Sequence, residues 1–277
     1  MLTRQIVILC LVLIESRVDG YKIKSYNVNK YAKDSFDYDC LQTTRTNISI
    51  PPTITICYRF KPVITHYGTY GTIFMGNLNE NRTEVEVGLD FSIWSSSGPW
   101  VGLREKGQSV VWVGMGDGAF DLLTWRHTCL SINFKDGHSI LYENGNKYVE
   151  GTFQEYVNFN PKMPETVNFI SFGCGPTIYT ESFVGVLTDL QIFGRVLSTQ
   201  EMEEWTGCRK RMYGEVLNWD TENWFFNVTG NKSEIEHLDF KSDICNRRKT
   251  SNHVFPLMVP FPKALEICEK ATGQLFQ

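Results

Sequence analysis

Two acidic residues have a spacing that could support catalysis: Glu84 and Glu86 flank Val85. Residues two apart on a strand share a face, and a retaining glycosidase uses two carboxylates about 5 to 5.5 Å apart as acid and nucleophile. Two solvated, outward-facing side chains explain the same pair. We therefore assign no catalytic residue to it.

A second residue that could do chemistry is His127, which stands two positions before Cys129 on a predicted strand. A metal site or an activated nucleophile needs a third group, and no His, Asp or Glu lies near it at ligand spacing. The sequence therefore favours a histidine that is hydrogen-bonded in or near the core.

Aromatic residues supply the remaining candidate site. Trp94 and Trp100 bracket the polar stretch 95–99, whereas most other aromatic residues fall in strand or helix patterns, where core packing is the usual role. Loops that carry large rings often bind ligands. We therefore take these two tryptophans as the candidate ligand-binding residues.

The elements that must position these residues are mostly strands. Alternating patterns over 54–61 and 85–93 have the period of a strand with one face in the core and one in solvent. Asn144-Gly145 predicts a tight hairpin, and Lys106-Gly107 plays a similar part between two further apolar runs.

One short helix is expected. Ser198 and Glu201 form a capping box, Met202 and Trp205 give an apolar stripe, and Gly207 can end the helix.

The N-terminus predicts a secreted chain. Residues 1–20 have a positive start at Arg4 and an apolar run at 6–14, which is typical of a signal peptide cut before Tyr21. That run is shorter than the roughly 20 residues a membrane-spanning helix needs. No later run is long enough, so we expect no transmembrane segment.

Cysteine usage agrees with secretion. No paired CxxC spacing suggests zinc, so disulfides are expected, and the pairing of Cys40, Cys174, Cys208 and Cys245 stays open among three arrangements. The odd number left after the leader leaves one thiol unpaired, which we assign to Cys268. Four sequons predict N-glycosylation, at Asn47, Asn81, Asn227 and Asn231.

The charge distribution excludes one class of partner. The net charge is −4 with both signs dispersed, whereas a nucleic-acid binder needs a basic face. We expect no nucleic-acid partner.

Four motifs in a fixed order over 124–219 carry a family resemblance: TWRHTC, LYENG, SFVGVLTDLQIFGRVLSTQE and GEVLNW. Together they resemble the pentraxin and laminin G branch of the concanavalin A-like proteins. The resemblance covers residues 40–226 and implies an all-β, concanavalin A-like jelly-roll β-sandwich with one short helix and an irregular C-terminal tail.

The same resemblance implies one disulfide. The strands around Cys57 and Cys129 look like the two that carry the family's internal bond, worth roughly 2 to 4 kcal/mol. His127-x-Cys129-x-Ser131 matches the pentraxin signature until Ile132 replaces its tryptophan.

The resemblance also supplies a test for calcium. Arg82 and Thr83 stand where the family has an Asp-Asn pair, and the later loop retains only Glu181 as a residual ligand candidate. A hard cation needs six to eight oxygen ligands. We therefore expect the usual calcium site to be lost, and no metal or cofactor.

Some jelly rolls are glycosidases, and their acidic motif is incomplete in this chain. The third acidic position falls on Gly88 or Leu89, and Asp90 is out of register. We expect no enzyme.

The segments before and after the predicted sandwich have separate interpretations. Residues 21–39 are read as an N-terminal extension and 227–253 as a polar linker, while 254–277 resembles the start of a C-type lectin-like domain. A docked amphipathic helix explains 254–277 equally well.

The expected function is a secreted, extracellular recognition or adhesion module. Its partner would be a carbohydrate or an extracellular protein, and an oligomer is compatible with the sequence. The alternatives are an ectodomain fragment of a larger receptor or matrix protein and, less favoured, a jelly-roll glycoside hydrolase.

Overall fold

Two antiparallel sheets form a β-sandwich in this computed structural model. It describes residues 21–28, 41–62, 69–78, 85–94, 98–105, 108–114, 124–152, 165–173, 183–226 and 234–245. The fold is all-β with one short α-helix among these residues, as the motifs predicted.

The first sheet has eight strands and is called the helix-side sheet below. Its order is β11-β10-β9-β4-β14-β1-β17, and β15 pairs with β14 at its side. The strands are β1 (Lys22–Val28), β4 (Thr53–Pro62), β9 (Arg126–Asn133), β10 (His138–Glu143), β11 (Asn146–Thr152), β14 (Gly185–Phe193), β15 (Leu217–Asn218) and β17 (Glu234–Asp239).

The second sheet has seven strands and is called the aromatic sheet below. Its order is β16-β2-β13-β5-β6-β7-β8. The strands are β2 (Leu41–Thr43), β5 (Thr69–Leu78), β6 (Val85–Trp94), β7 (Gly98–Glu105), β8 (Gln108–Gly114), β13 (Phe169–Phe172) and β16 (Trp224–Phe226). A separate two-stranded pair joins β3 (Ile48–Ser49) to β12 (Thr166–Val167).

Aromatic rings fill the space between the two sheets. Tyr58 of β4 meets Phe91 of β6 edge to face at 5.7 Å and Phe172 of β13 at 5.3 Å, measured between ring centroids. Phe172 in turn meets Trp219 at 6.2 Å. Such edge-to-face pairs stabilise by about 0.5–1.5 kcal/mol beyond their burial.

Strand β4 differs from the pattern that predicted it. Its alternation indicated one solvated face, but Thr55, Cys57 and Arg59 are as fully buried as the core-facing residues. The reason is a second, smaller core on the outer face of the helix-side sheet, where Met202 and Trp205 pack near Cys57.

The helix of this second core is α1 (Thr199–Thr206), and it begins as the sequence predicted. The Ser198 side chain accepts from the backbone N–H of Glu201 at 3.2 Å, and Glu201 accepts from the backbone N–H of Ser198 at 2.8 Å. This reciprocal capping box satisfies two amides that have no partner within the helix.

The predicted hairpins are also present. Asn144 and Gly145 have φ of 50° and 87°, the positive values that a tight turn between β10 and β11 requires. Strands β7 and β8 pair from Glu105 with Gln108, so only the two residues 106–107 connect them.

The two segments beside the sandwich contribute more than the sequence indicated. Strand β1, from the supposed extension 21–39, lies between β14 and β17. Strand β17 and a π-helical turn, Phe240–Ile244, come from the supposed linker 227–253. Within 234–245 only part of this edge segment faces solvent, since Phe240 and Ile244 are buried.

Candidate functional site

The two candidate ligand-binding tryptophans lie on neighbouring strands rather than at the two ends of a loop. Trp94 is the last residue of β6, and Trp100 is the third residue of β7. The backbone register sets Trp94 opposite Gly98 and Trp100 opposite Ser92. Because faces alternate along a strand, Trp94 and Trp100 belong to the same face of the aromatic sheet.

A third tryptophan shares that face. Trp112 of β8 stands opposite Gly102 of β7, and Gly102 is two residues from Trp100. Trp112 is one of the aromatic residues for which the sequence pattern favoured core packing, because its place on a face becomes clear only once the strands are paired. Two of these three positions, Trp94 and Trp112, therefore face a glycine across the ladder.

The opposite face of the same strands enters the core. Leu89 and Phe91 of β6 and Val101 of β7 are buried, and Phe91 pairs with Val101. The three tryptophan positions consequently lie on the outer face of the aromatic sheet. We call Trp94, Trp100 and Trp112 the tryptophan face.

Glycines recur along this outer face. A Cβ added at Gly88 would come within 2.3 Å of the Phe74 ring, so that ring lies directly over the glycine backbone. Phe74 also packs on Phe169 at 5.4 Å between ring centroids. Glycine in a strand interior often marks such a close approach.

The structure describes only some of the other predicted site residues. Asn47 is exposed, has φ of 56°, and lines a groove of about 400 Å³ with Arg45, Pro51, Glu215 and Val216. The remaining sequons, the calcium candidates and the acidic pair fall outside the described residues or their described side chains: Asn81, Asn227, Asn231, Arg82, Thr83, Glu181, Glu84 and Glu86.

The disulfide implied by the resemblance is present. Cys57 and Cys129 are direct partners on β4 and β9, and both are completely buried in the second core. A second disulfide joins Cys208 to Cys245, which selects one pairing from the arrangements that the sequence left open.

A buried charge cluster beside this second core was not predicted. Arg59 donates from Nε to Asp189 Oδ2 at 2.9 Å, and both side chains are completely buried. Arg211 reaches the other oxygen of Asp189 at 2.7 Å from Nη2, and it pairs with Asp220 at 2.9 Å. The chain thus carries a row of alternating charges from its interior to its surface.

Strand β14 is distorted where it supplies Asp189. The pairing of β14 with β4 shifts register between Thr188 and Gln191, and Asp189 has a φ of 54°. A non-glycine residue in this conformation costs free energy, so the cluster holds it there. The available sequence signal was one carboxylate inside the apolar run GVLTDLQIF.

Electrostatics keep this cluster ionised. Burial lowers the pKa of Arg59 to about 10, although the Asp189 carboxylate opposes that effect. Burial alone would raise the pKa of Asp189, but Arg59 and Arg211 outweigh it and hold the pKa below its usual range. At neutral pH the two groups therefore form an ion pair.

His127 has the hydrogen-bonded setting that the sequence favoured. Its Nδ1 lies 3.1 Å from the carbonyl oxygen of Thr206, and its Nε2 lies 3.3 Å from that of Ile244. Among the described residues, His127, Cys208 and Cys245 place their side-chain N and S atoms within 4.8 Å of one another. Because both sulfurs are joined in a disulfide, the group presents no thiolate to a metal.

None of the helices in the described parts of the chain has the length and apolar character needed to cross a membrane.

Comparisons with known proteins agree with this architecture. The Pentaxin family matches residues 29–232. Mouse neuronal pentraxin-2 is 29% identical over 104 residues, which cover 36% of this chain and 24% of the length of that protein. The match therefore spans about a quarter of this curated relative.

Two solved structures share the fold. A native heptameric SAP-like pentraxin from Limulus polyphemus has a TM-score of 0.59 and 18% identity, covering 81% of this chain and 97% of its own. The full extracellular region of zebrafish Gpr126/Adgrg6 has a TM-score of 0.52 and 12% identity. The match covers 76% of this chain and 26% of that region. With a family match over most of its length and a sandwich of this topology, the chain belongs to the Pentaxin family.

Proposed function

We propose that this protein is a secreted recognition module whose tryptophan face binds carbohydrate without calcium. The observation that carries the proposal is the strand register that sets Trp94, Trp100 and Trp112 on one outer face of three consecutive strands. Tryptophan rings offer large, flat apolar surfaces with one polar N–H, and they dominate the energetics of many binding sites.

The strand geometry supports this use. Cross-strand neighbours on one face have Cβ atoms about 4.5–5.5 Å apart, and diagonal neighbours about 7–8 Å apart. Trp94 and Trp100 are diagonal neighbours across β6 and β7, and Trp100 and Trp112 have the same relation across β7 and β8. Three rings at this spacing suit an extended row of sugar units better than a single small ligand.

Family membership supports binding over catalysis, since pentraxins are binding proteins rather than enzymes. The two segments that supply calcium ligands in the family have lost most of their acids in this sequence, and the tryptophan face includes none of their residues. The proposed site therefore needs no metal.

A glycan array on the purified, glycosylated protein tests the proposal. We expect binding that is unchanged between millimolar calcium and a calcium chelator. We expect Trp94→Ala/Trp100→Ala to lose roughly tenfold or more in affinity, because truncating a tryptophan hot spot costs about 2 kcal/mol or more. Trp94→Phe/Trp100→Phe should retain much of it, because a ring remains.

The matched control is Tyr213→Ala, which removes an aromatic side chain that is 52% exposed elsewhere on the protein. Binding that depends on calcium, or that survives Trp94→Ala/Trp100→Ala, would refute the proposed site. A protein that binds no glycan under either condition would favour an extracellular protein as ligand.

A second candidate is a structural module within a larger ectodomain. The zebrafish extracellular region favours it, because this sandwich covers 26% of that region. Native protein that, after deglycosylation, runs larger than the recombinant chain would support this alternative. The Limulus pentraxin is heptameric, so light scattering on the recombinant chain would test for a comparable oligomer.

A further inference from the structure

The Cys208–Cys245 disulfide differs from Cys57–Cys129 in its surroundings. Cys57 and Cys129 are completely buried, whereas Cys208 and Cys245 are each partly exposed. The second bond joins the residues just after α1 to the end of the π-helical turn, at a sequence separation of 37. The second bond is therefore the more accessible of the two to an incoming thiol.

Two basic side chains contact one sulfur of this bond. Arg59 Nη1 lies 3.2 Å from Cys208 Sγ, and His127 Nδ1 lies 3.1 Å from the same atom. Arg59 and His127 are direct partners across β4 and β9, so the sheet fixes both beside the sulfur. A nearby cation stabilises a thiolate over a thiol.

The charge on Arg59 is held in place by its other contacts. Its Nη2 donates to the carbonyl oxygen of Trp205 at 3.0 Å, and its guanidinium stacks on the Trp205 ring at 3.8 Å. The two nitrogens of His127 lie 3.1 and 3.3 Å from the carbonyl oxygens of Thr206 and Ile244, and these contacts fix the orientation of the ring. Both groups are thus preorganised around Cys208.

We propose that the Cys208–Cys245 disulfide is a thiol-exchange site for low-molecular-weight thiols. The thiolate of such a compound attacks Sγ of Cys245 and forms a mixed disulfide with it. The Cys245–Cys208 bond breaks, and its electron pair leaves on Sγ of Cys208. Arg59 and His127 hold the resulting Cys208 thiolate, and a second thiolate can later release Cys245 as a thiolate too.

The direction of attack follows from leaving-group chemistry. Exchange is faster when the departing sulfur is the more stable thiolate. Cys208 has the cationic contacts, so it departs and Cys245 carries the adduct. This assignment distinguishes the proposed site from an ordinary exposed disulfide, in which no sulfur is preferred.

Opening the bond would loosen one edge of the helix-side sheet. Cys245 ends the segment that contains β17, and β17 pairs with β1 over Lys22 to Asn27. Phe240 of the same segment packs over the Arg59 guanidinium at 4.8 Å. Thiol exchange would therefore control how firmly β17 and Phe240 are held against the helix-side sheet.

The test is differential alkylation with mass spectrometry on the full chain exposed to reduced glutathione. We expect a glutathione adduct on Cys245 and a free thiol on Cys208, while Cys57–Cys129 stays oxidised in the same sample. An adduct mainly on Cys208, or equal resistance of both disulfides, would overturn the proposal.

The role of the basic contacts is tested with His127→Gln, which keeps a hydrogen-bonding side chain but cannot carry a charge. We expect its opening rate to fall several-fold, while the matched variant His138→Gln, at a surface histidine on β10, opens at the wild-type rate. An unchanged or faster rate in His127→Gln would contradict the role of His127. Because the site of the glutathione adduct is read in the wild type, the proposal stays testable if this variant does not fold.

Discussion

The two sheets of this sandwich share one core but differ on their outer faces. The helix-side sheet has its outer face covered by α1, and its strands carry the Cys57–Cys129 disulfide and the buried Arg59–Asp189 pair. The Cys208–Cys245 disulfide lies against Arg59 of the same sheet. The aromatic sheet has the backbone positions of Trp94, Trp100 and Trp112 on its outer face instead. We therefore assign stability chiefly to the helix-side sheet and, under the proposed function, binding to the aromatic sheet.

This comparison predicts separable effects of mutation. Changes on the helix-side sheet should lower stability without altering the ligand-binding surface. Changes on the tryptophan face should do the opposite, because outer-face side chains contribute little to the core between the sheets.

The largest loss is expected from Asp189→Asn. This substitution leaves Arg59 completely buried without its counter-charge, and breaking a buried ion pair typically costs about 3–5 kcal/mol. Denaturant unfolding followed by circular dichroism measures it. Asp220→Asn, which removes a carboxylate that is 28% exposed, should cost about 1 kcal/mol or less. Equal effects of the two variants would contradict the buried pair.

A smaller loss is expected from Cys57→Ala/Cys129→Ala. The bond closes a loop with a sequence separation of 72, and such disulfides contribute roughly 2 to 4 kcal/mol. The same unfolding experiment measures the loss, and the variant should keep its glycan binding while folded. Loss of binding by the folded variant would contradict the assignment of binding to the aromatic sheet and stability to the helix-side sheet.

The smallest effect concerns the helix cap and depends on pH. The Arg195 guanidinium beside Glu201 lowers the pKa of that carboxyl to about 2 from 4.5. A lowered folded-state pKa stabilises the fold above pH 4.5 and loses that contribution as the pH falls toward 2. Glu201→Gln should therefore cost less than about 1 kcal/mol at neutral pH, and its gap from wild type should close below pH 4.5. A gap that stays constant with pH would contradict the ion pair.

The sequence predicted those parts of the fold that depend on neighbours along the chain. The capping box of Ser198 and Glu201 and the Asn144-Gly145 turn needed only a few consecutive residues, and both are present. The family motifs supplied the sandwich and the Cys57–Cys129 bond. The capping box and the turn were predictable because each depends on the backbone conformation of a few consecutive residues, which tertiary contacts change little.

The parts that were missed depend on contacts between distant segments. Arg59 and Asp189 are 130 residues apart, so neither pattern indicated the other. Strand β4 appeared half solvated because nothing in its own sequence shows that α1 covers its second face. The shared face of Trp100 and Trp112 likewise required the pairing register of β7 with β8.

We assign binding to the tryptophan face and stability to the helix-side sheet. Glycan binding and unfolding free energy, measured together for Trp94→Ala/Trp100→Ala and for Ser198→Ala, test this assignment. We expect the first variant to lose roughly tenfold or more in affinity with stability within about 0.5 kcal/mol of wild type. We expect the second to lose about 1 kcal/mol of stability and keep its affinity. Binding that is retained by the tryptophan variant, or lost in parallel with stability in both, would contradict the account.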